Sequence, residues 1–440
     1  MKNKEDIMEK IVNDIIKEEL YFETLENGLR VYFMPKRGFV KKYAVLATDF
    51  GSNDLEFVPK GESEKIRVHE GIAHFLEHKM FEQPDGGNAF DLFSKYGASA
   101  NAFTNFNMTA YLFSATENFN ECLTHLIDYV QTPYYTEENV EKEKGIIAQE
   151  IKMYDDDPSW QVYFNALKAM YQKHNVRIDI AGDVDSIYKI TPDELYKCYN
   201  TFYNPSNMIL FVIGDLDENE VMDVIKKANH SDIEKIEGKI QRFPNAEPKE
   251  IAQKEIVEKY QVSMPMFNIA YKDEDVNLRG KELLKKEVVS DILCDMIFKT
   301  GSELNEDMYM KGMVNDSFYG GFYSEVEYAF TLISGEGKDP HKVKDTITEY
   351  LERYKKEGLS REGFERAKKK KIGEFLKYMD SMEFIANNFI SYAFKDVNIL
   401  DYLEVLKEVE FEDVENRLRT HFKEENCVIS IVEPIETEEN

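Results

Sequence analysis

His74-Phe75-Leu76-Glu77-His78 decides the reading of this 440-residue chain, because it sets two imidazoles and a carboxylate on one side of a single helix. One helical turn separates His74 from His78, so their Cβ atoms stand roughly 5–6 Å apart and both rings can grip one ion. Glu77 follows His74 by three residues, where its carboxylate can reach a water on that ion without being a ligand. The flanks Gly71-Ile72-Ala73 and Lys79-Met80-Phe81 continue the helical pattern, and Ile72, Phe75 and Leu76, then Lys79-Met80, form an apolar stripe beside the His face. Two His and a Glu on one buried face are costly without a cation to compensate them.

A catalytic zinc takes three protein ligands and leaves a fourth position to water, so a further ligand has to come from elsewhere. Residues 136–154 read as a long helix that starts after Pro133, carries Val140, Ile146, Ile147 and Ile151 as an apolar face, and is closed by Asp155-Asp156-Asp157-Pro158. Glu143 and Glu150 lie two turns apart on it and therefore share a side, so one carboxylate can bind the metal while the other, one layer back, holds a ligand or the water. Glu150 stands in the apolar part of the helix, whereas Glu137, Glu138 and Glu141 cluster near its start, as solvated residues do.

Residues 99–115, rich in Ala, Thr, Phe and Tyr and free of Gly and Pro, follow the break at Gly97 and read as a strand. Asn101, Asn105 and Asn107 make its first half too polar for a strand buried on both faces, which predicts a sheet edge. An edge presents unpaired N–H and C=O groups that an extended peptide completes, and Asn101 and Ala102 are the candidate substrate-binding residues.

The order H-x-x-E-H, the reverse of H-E-x-x-H, marks inverted zinc peptidases. With a Glu 72 residues further on (150 − 78 = 72) and a second Glu seven residues before that one, it resembles the pitrilysin superfamily, which includes insulysin and the mitochondrial processing peptidases. The resemblance implies His74, His78 and Glu150 as ligands of one Zn²⁺ per chain, Glu77 as general base, and Glu143 as the second acidic catalytic residue behind the site. It also implies that residues 97–104 form the edge strand beside the metal. The chain is most similar to half-length bacterial members, in which a catalytic half and a degenerate second half make one subunit. The activity implied is zinc-dependent endopeptidase action on short, unstructured peptides. The alternative is a non-catalytic or regulatory subunit of a related peptidase or peptide-maturation complex, and the intact motif positions favour the enzyme. Many family members bind the substrate backbone with an Arg and a Tyr in the second half. Here residues 307–316 contain no Arg and no clear counterpart of that Tyr, which leaves the task to Tyr309, Lys311 or Tyr319, or to the second half of a partner chain.

The predicted fold is α+β, with two related α/β sandwich domains, each an antiparallel-rich mixed sheet covered by helices. Residues 1–235 are the expected zinc-containing domain, the charged stretch 236–255 with Pro244 and Pro248 the linker, and 256–440 a related domain without metal that closes over the substrate. Strands are read at 29–33, 43–48, 207–215 and 266–271, a helix around 283–298, strands within 317–334, two helices after Pro340, and a last strand at 427–432. The order of elements in the first part recurs in the second without a sequence repeat. His341 and His421 are isolated and read as satisfied or solvated residues rather than ligands.

A formal net charge of −29 repels nucleic acid and anionic membranes, which excludes both as partners. The cysteines, Cys122, Cys198, Cys294 and Cys427, are far apart and lack C-x-x-C spacing, as expected of reduced thiols in the cytoplasm. The segment opening on residues 1–6 is charged and amphipathic, with no apolar core of the kind a signal or anchor needs, and no stretch reaches membrane-spanning length. A half-sized chain with one metal set is expected to pair, as a homodimer or with a related subunit.

Overall fold

A computed structural model describes residues 8–13 and 15–435 of the chain; the segment at 1–6 and the end of the acidic tail lie outside them. The first sheet contains β1 (Glu9–Asn13), β2 (Glu18–Thr24), β3 (Arg30–Pro35), β4 (Lys42–Thr48), β5 (Ser99–Thr104), β6 (Thr109–Ala115) and β7 (Met208–Gly214), in the spatial order β1-β2-β3-β7-β4-β6-β5. The second contains β8 (Glu255–Tyr260), β9 (Met266–Lys272), β10 (Tyr319–Ser324), β11 (Ala329–Glu336) and β12 (Cys427–Pro434), in the order β8-β12-β9-β11-β10. In the first sheet β3 runs parallel to β7, and β7-β4-β6-β5 continue antiparallel. In the second, β8 runs parallel to β12, and β12-β9-β11-β10 continue antiparallel. The two five-strand cores thus have one topology, which establishes in the backbone the recurrence read from the order of elements. The α+β class with two mixed, antiparallel-rich sheets is what the structure shows.

Four helices matter for the site and its support: α1 (Ile72–Lys79), α2 (Glu137–Asp155), α3 (Pro158–Met170) and α4 (Met382–Ala393). The compact units do not follow the contiguous division at 235 and 256. One unit joins the residues up to Ile151 with Ile178–Pro244 and Tyr378–Phe394, and the other joins Lys152–Arg177 with Asn245–Lys377 and the chain from Lys395 onward. Helix α3, early in the sequence, packs on β9 and β12 of the second sheet; α4, late in the sequence, packs on β4 and β7 of the first. Periodicity shows that a helix buries one face. It does not say against which sheet.

On the first sheet, one face carries Val31, Phe33, Ala44, Leu46, Tyr111, Phe113, Leu210 and Val212 into a core shared with Phe75 and Leu76 of α1. The other face meets α4, where the Phe389 ring centroid lies 4.7 Å from that of Tyr32 and 4.8 Å from that of Phe211. Both faces of β7 are therefore covered, which is why it reads as an unbroken apolar run. In the second unit, Asp273 just past β9 sits in a buried group of charges with Lys286, Arg417 and His421.

Two readings need correction. The single strand expected over 99–115 is a hairpin, turned at Asn105, whose side-chain oxygen accepts from the N–H groups of Asn107 and Met108, both at 2.8 Å. An Asx turn replaces the Gly or Pro that would have signalled it. After Pro340 the chain forms Pro340–Glu357, Arg361–Tyr378, α4, Tyr402–Glu408 and Phe411–His421, five helices rather than two.

Candidate metal centre

Helix α1 begins at Gly71, whose φ of 86° is left-handed and where a Cβ would collide with the Ala181 carbonyl. Glycine is thus required both by the backbone and by the close passage of residues 181–182. The helix is buried along nearly its whole length, with β5 and β6 packed against it. Lys79, read as part of the apolar stripe, is fully buried and reaches both Glu82 and the Asn139 carbonyl at 3.3 Å, tying the end of α1 to the start of α2.

Val140, Ile147 and Ile151 anchor α2 in the core, whereas Ile146 is 47% exposed and does not belong to the apolar face. Glu143 lies three residues after Val140 and Glu150 three after Ile147, so both carboxylates rise from the inward edge of the helix. The structure brings them to the two histidines. His74 Nε2 is 3.6 Å from Glu150 Oε1, and His78 Nε2 is 3.4 Å from Glu150 Oε2. On the far side of the His78 ring, Nδ1 meets Glu143 Oε1 at 3.0 Å. One ligand atom from each of His74, His78 and Glu150 can be chosen such that all lie within 4.8 Å of one another.

These residues fit a zinc ion. Ligand atoms about 2.0–2.1 Å from a tetrahedral metal stand about 3.3–3.4 Å from each other, close to the observed separations of 3.4 and 3.6 Å. Without a cation, Glu150 faces the two Nε2 atoms at distances too long for good hydrogen bonds. Glu143 completes the arrangement from behind, fixing which His78 nitrogen faces forward.

Electrostatics agree with this division of labour. Burial, reinforced by the neighbouring His78, pushes the His74 imidazole down to about 4, so it is held neutral, as a ligand must be. For His78, burial acts in the same direction, but the Glu143 hydrogen bond and the Glu150 charge outweigh it and raise its affinity for a proton. Burial likewise raises the Glu77 carboxyl, and the His78 and Glu150 charges act on it, which sets it beside the same space. Glu143 is held below the ordinary range because its bond to His78 overcomes its burial.

Asn101 and Ala102 lie on β5, which is the edge strand of the first sheet. The Asn101 side chain is exposed and accepts from the Ala102 N–H at 2.9 Å. In the second unit, Tyr309 and Tyr319 are exposed, and Lys311 is paired with Asp307 at 2.7 Å. His421 is buried against Thr331 Oγ1 at 2.8 Å, and His341 is exposed beside Glu255. One residue at the centre was given no role by its sequence: Thr104, whose hydroxyl donates to Glu77 Oε2 at 2.6 Å. Its place at the end of the edge strand, one turn-forming segment away from Thr109, was the signal available.

Glu150→Gln is expected to cost both zinc affinity and activity, while Glu143→Gln should cost less of each, about 10–100-fold, as changes behind a ligand do. Zinc content and chelator competition on the two variants measure this, and full metal retention by Glu150→Gln would remove it from the ligand set.

The family model for insulinase, peptidase family M16, matches residues 58–184, and the model for the peptidase M16 inactive domain matches residues 189–371. The uncharacterised zinc protease YmfH of Bacillus subtilis (strain 168) is 44% identical over 419 residues, covering 95% of this chain and 97% of that protein. The crystal structure of an M16-like peptidase from Alicyclobacillus acidocaldarius superposes with a TM-score of 0.91 at 36% identity, over 95% of this chain and 99% of that one. A protease structure from Helicobacter pylori, at 20% identity and a TM-score of 0.81, covers 97% of this chain and 100% of that one and shares the fold. The chain is built as a half-length member of the pitrilysin-like superfamily. It belongs to peptidase family M16, the insulinase family.

Proposed function

We propose that the chain is a zinc-dependent endopeptidase that hydrolyses short, unstructured peptides, with His74, His78 and Glu150 as metal ligands and Glu77 as general base. The observation that carries this is the pair of Nε2-to-carboxylate separations, 3.6 and 3.4 Å, framing one ion's space with Glu77 on the same helix. Bound zinc would supply Lewis acidity and lower the pKa of its water toward ~7. Glu77 would accept a proton from the attacking water at its carboxylate and return it to the leaving amine. Glu143 holds His78 in orientation through Nδ1. The N–H and C=O groups of β5 around Asn101 and Ala102 pair with an extended substrate, which favours unfolded peptides over folded proteins.

Residues 307–316, where the resemblance places the substrate-binding Arg, contain none, which supports assembly with a second copy or a related subunit. The free, buried cysteines support a cytoplasmic setting. No helix among the described residues is long and apolar enough to cross a membrane.

The test is a quenched-fluorescence peptide assay on purified, zinc-loaded chain, with light scattering on the same sample. Cleavage should vanish on chelation, return with zinc, and spare a folded protein, and the chain should run as a dimer or require a partner. A zinc-loaded protein that cleaves nothing, alone or with a related subunit, would instead fit the regulatory reading.

A further inference from the structure

Thr104 is the last residue of β5, and β5 is the strand to which the proposed substrate adds. Its side chain points back to α1. The hydroxyl donates to Glu77 Oε2 at 2.6 Å, a length typical of strong charge-assisted O–H···O⁻ bonds. Its backbone N–H also favours the ionised Glu77 carboxylate. Across the hairpin, Thr104 pairs in register with Thr109, and their hydroxyl oxygens are 3.3 Å apart. Thr109 is completely buried and donates to the Phe50 carbonyl at 2.9 Å. The Thr104 hydroxyl therefore sits between a fixed neighbour and the carboxylate, on a β-branched side chain with little χ1 freedom.

We propose that Thr104 is the positioning residue of Glu77: its hydroxyl, held on the edge strand, anchors Oε2 so that Oε1 is the oxygen presented for proton transfer. The inference rests on the assignment of Glu77 as general base. A glutamate carboxylate turns about several bonds, and a base must stand within hydrogen-bond reach of the proton it takes, so an anchor on one oxygen restricts the carboxylate to useful orientations. The anchor and the peptide-pairing groups share one strand. The segment that aligns the substrate thus also aligns the base.

The test compares Thr104→Val, which keeps the shape and branching but loses the donor, with Thr104→Ser, which keeps the donor. Both are made in the full chain and loaded with zinc, with Glu77→Gln as control. Zinc per chain, zinc affinity by chelator competition and melting temperature are read beside kcat and KM on one quenched peptide. Thr104→Val should lower kcat by about 10–100-fold, as loss of a supporting hydrogen bond does, with KM, zinc affinity and melting temperature unchanged. A fall in kcat and kcat/KM together marks an interaction used in the transition state. Thr104→Ser should recover most of the loss, which a purely structural role of the side chain would not produce. Should Thr104→Val melt early, Thr104→Ala against Thr104→Ser supplies the same comparison. Wild-type kcat in the valine or alanine variant, or a serine variant as impaired as either, overturns the inference. An active Glu77→Gln enzyme overturns the parent reading instead, so the two failures are distinguishable.

Discussion

Glu77→Gln is expected to lower peptide turnover by about 10²–10⁴-fold, the range that general acid–base catalysis contributes, while the protein keeps its zinc. The residues proposed to hold the metal are His74, His78 and Glu150, and Glu77 is engaged by Thr104 instead. Glutamine is nearly isosteric and can still meet the Thr104 hydroxyl through its amide oxygen, so fold and metal site remain. What disappears is the ability to take and return a proton. Metal analysis and peptide kinetics on the same preparation check both halves of the statement: normal turnover would remove Glu77 as the base, and loss of zinc would make it a ligand.

The second large effect is on stability. Asp273 lies almost wholly out of solvent and accepts from Arg417 Nη2 at 2.6 Å and Nη1 at 3.3 Å, with Lys286 Nζ at 3.4 Å. Arg417 Nε donates in turn to Ser290 Oγ at 2.8 Å. Burial alone would raise the Asp273 carboxyl, but His421 and Arg417 beside it hold it well below the usual carboxylate range. Asp273→Ala leaves two buried cations facing each other without a counter-charge, and removing one partner from such a group costs about 3–5 kcal/mol. Urea unfolding of the full chain, variant against wild type, measures it, and a loss below about 1 kcal/mol would show that water reaches the cluster.

The same cluster sets a pH dependence. Burial, followed by the Arg417 charge, pushes His421 down to about 4, with its Nδ1 3.7 Å from Asp273 Oδ1. The folded value lies below the unfolded one of about 6.5, so protons bind the unfolded chain more readily. The contribution is complete above pH ~6.5 and is lost as pH falls toward 4. Asp273, also depressed, adds a further loss only below its unfolded value of about 3.9. His421→Gln should flatten the upper window and reduce the lower one, which the Arg417 contacts to Asp273 then sustain.

The candidate metal helix was legible because the proposed zinc chemistry requires fixed spacings: His74, Glu77 and His78 within five residues, and Glu143 and Glu150 in step with Val140 and Ile147. Both features are local, and helical geometry carries them directly into space. The fully buried β7 announced itself by its unbroken apolar run. The contribution of Thr104 was not legible, because it depends on a hairpin turned by Asn105 without Gly or Pro. The sheet assignments of α3 and α4 were hidden for another reason. Their apolar faces are ordinary, and the choice between two sheets whose five-strand cores share one topology is made by contacts distant in sequence.

That choice has a consequence for synthesis. β7 ends at Gly214 and its covering helix α4 begins at Met382, so 175 further residues (389 − 214) must be made before Phe389 can cover Tyr32 and Phe211. At about 5–20 residues per second, the apolar face of a finished sheet waits roughly 10–30 s for its lid. A ribosome stalled in that interval would hold a nascent chain with an adhesive surface, a substrate for chaperones rather than a folded half.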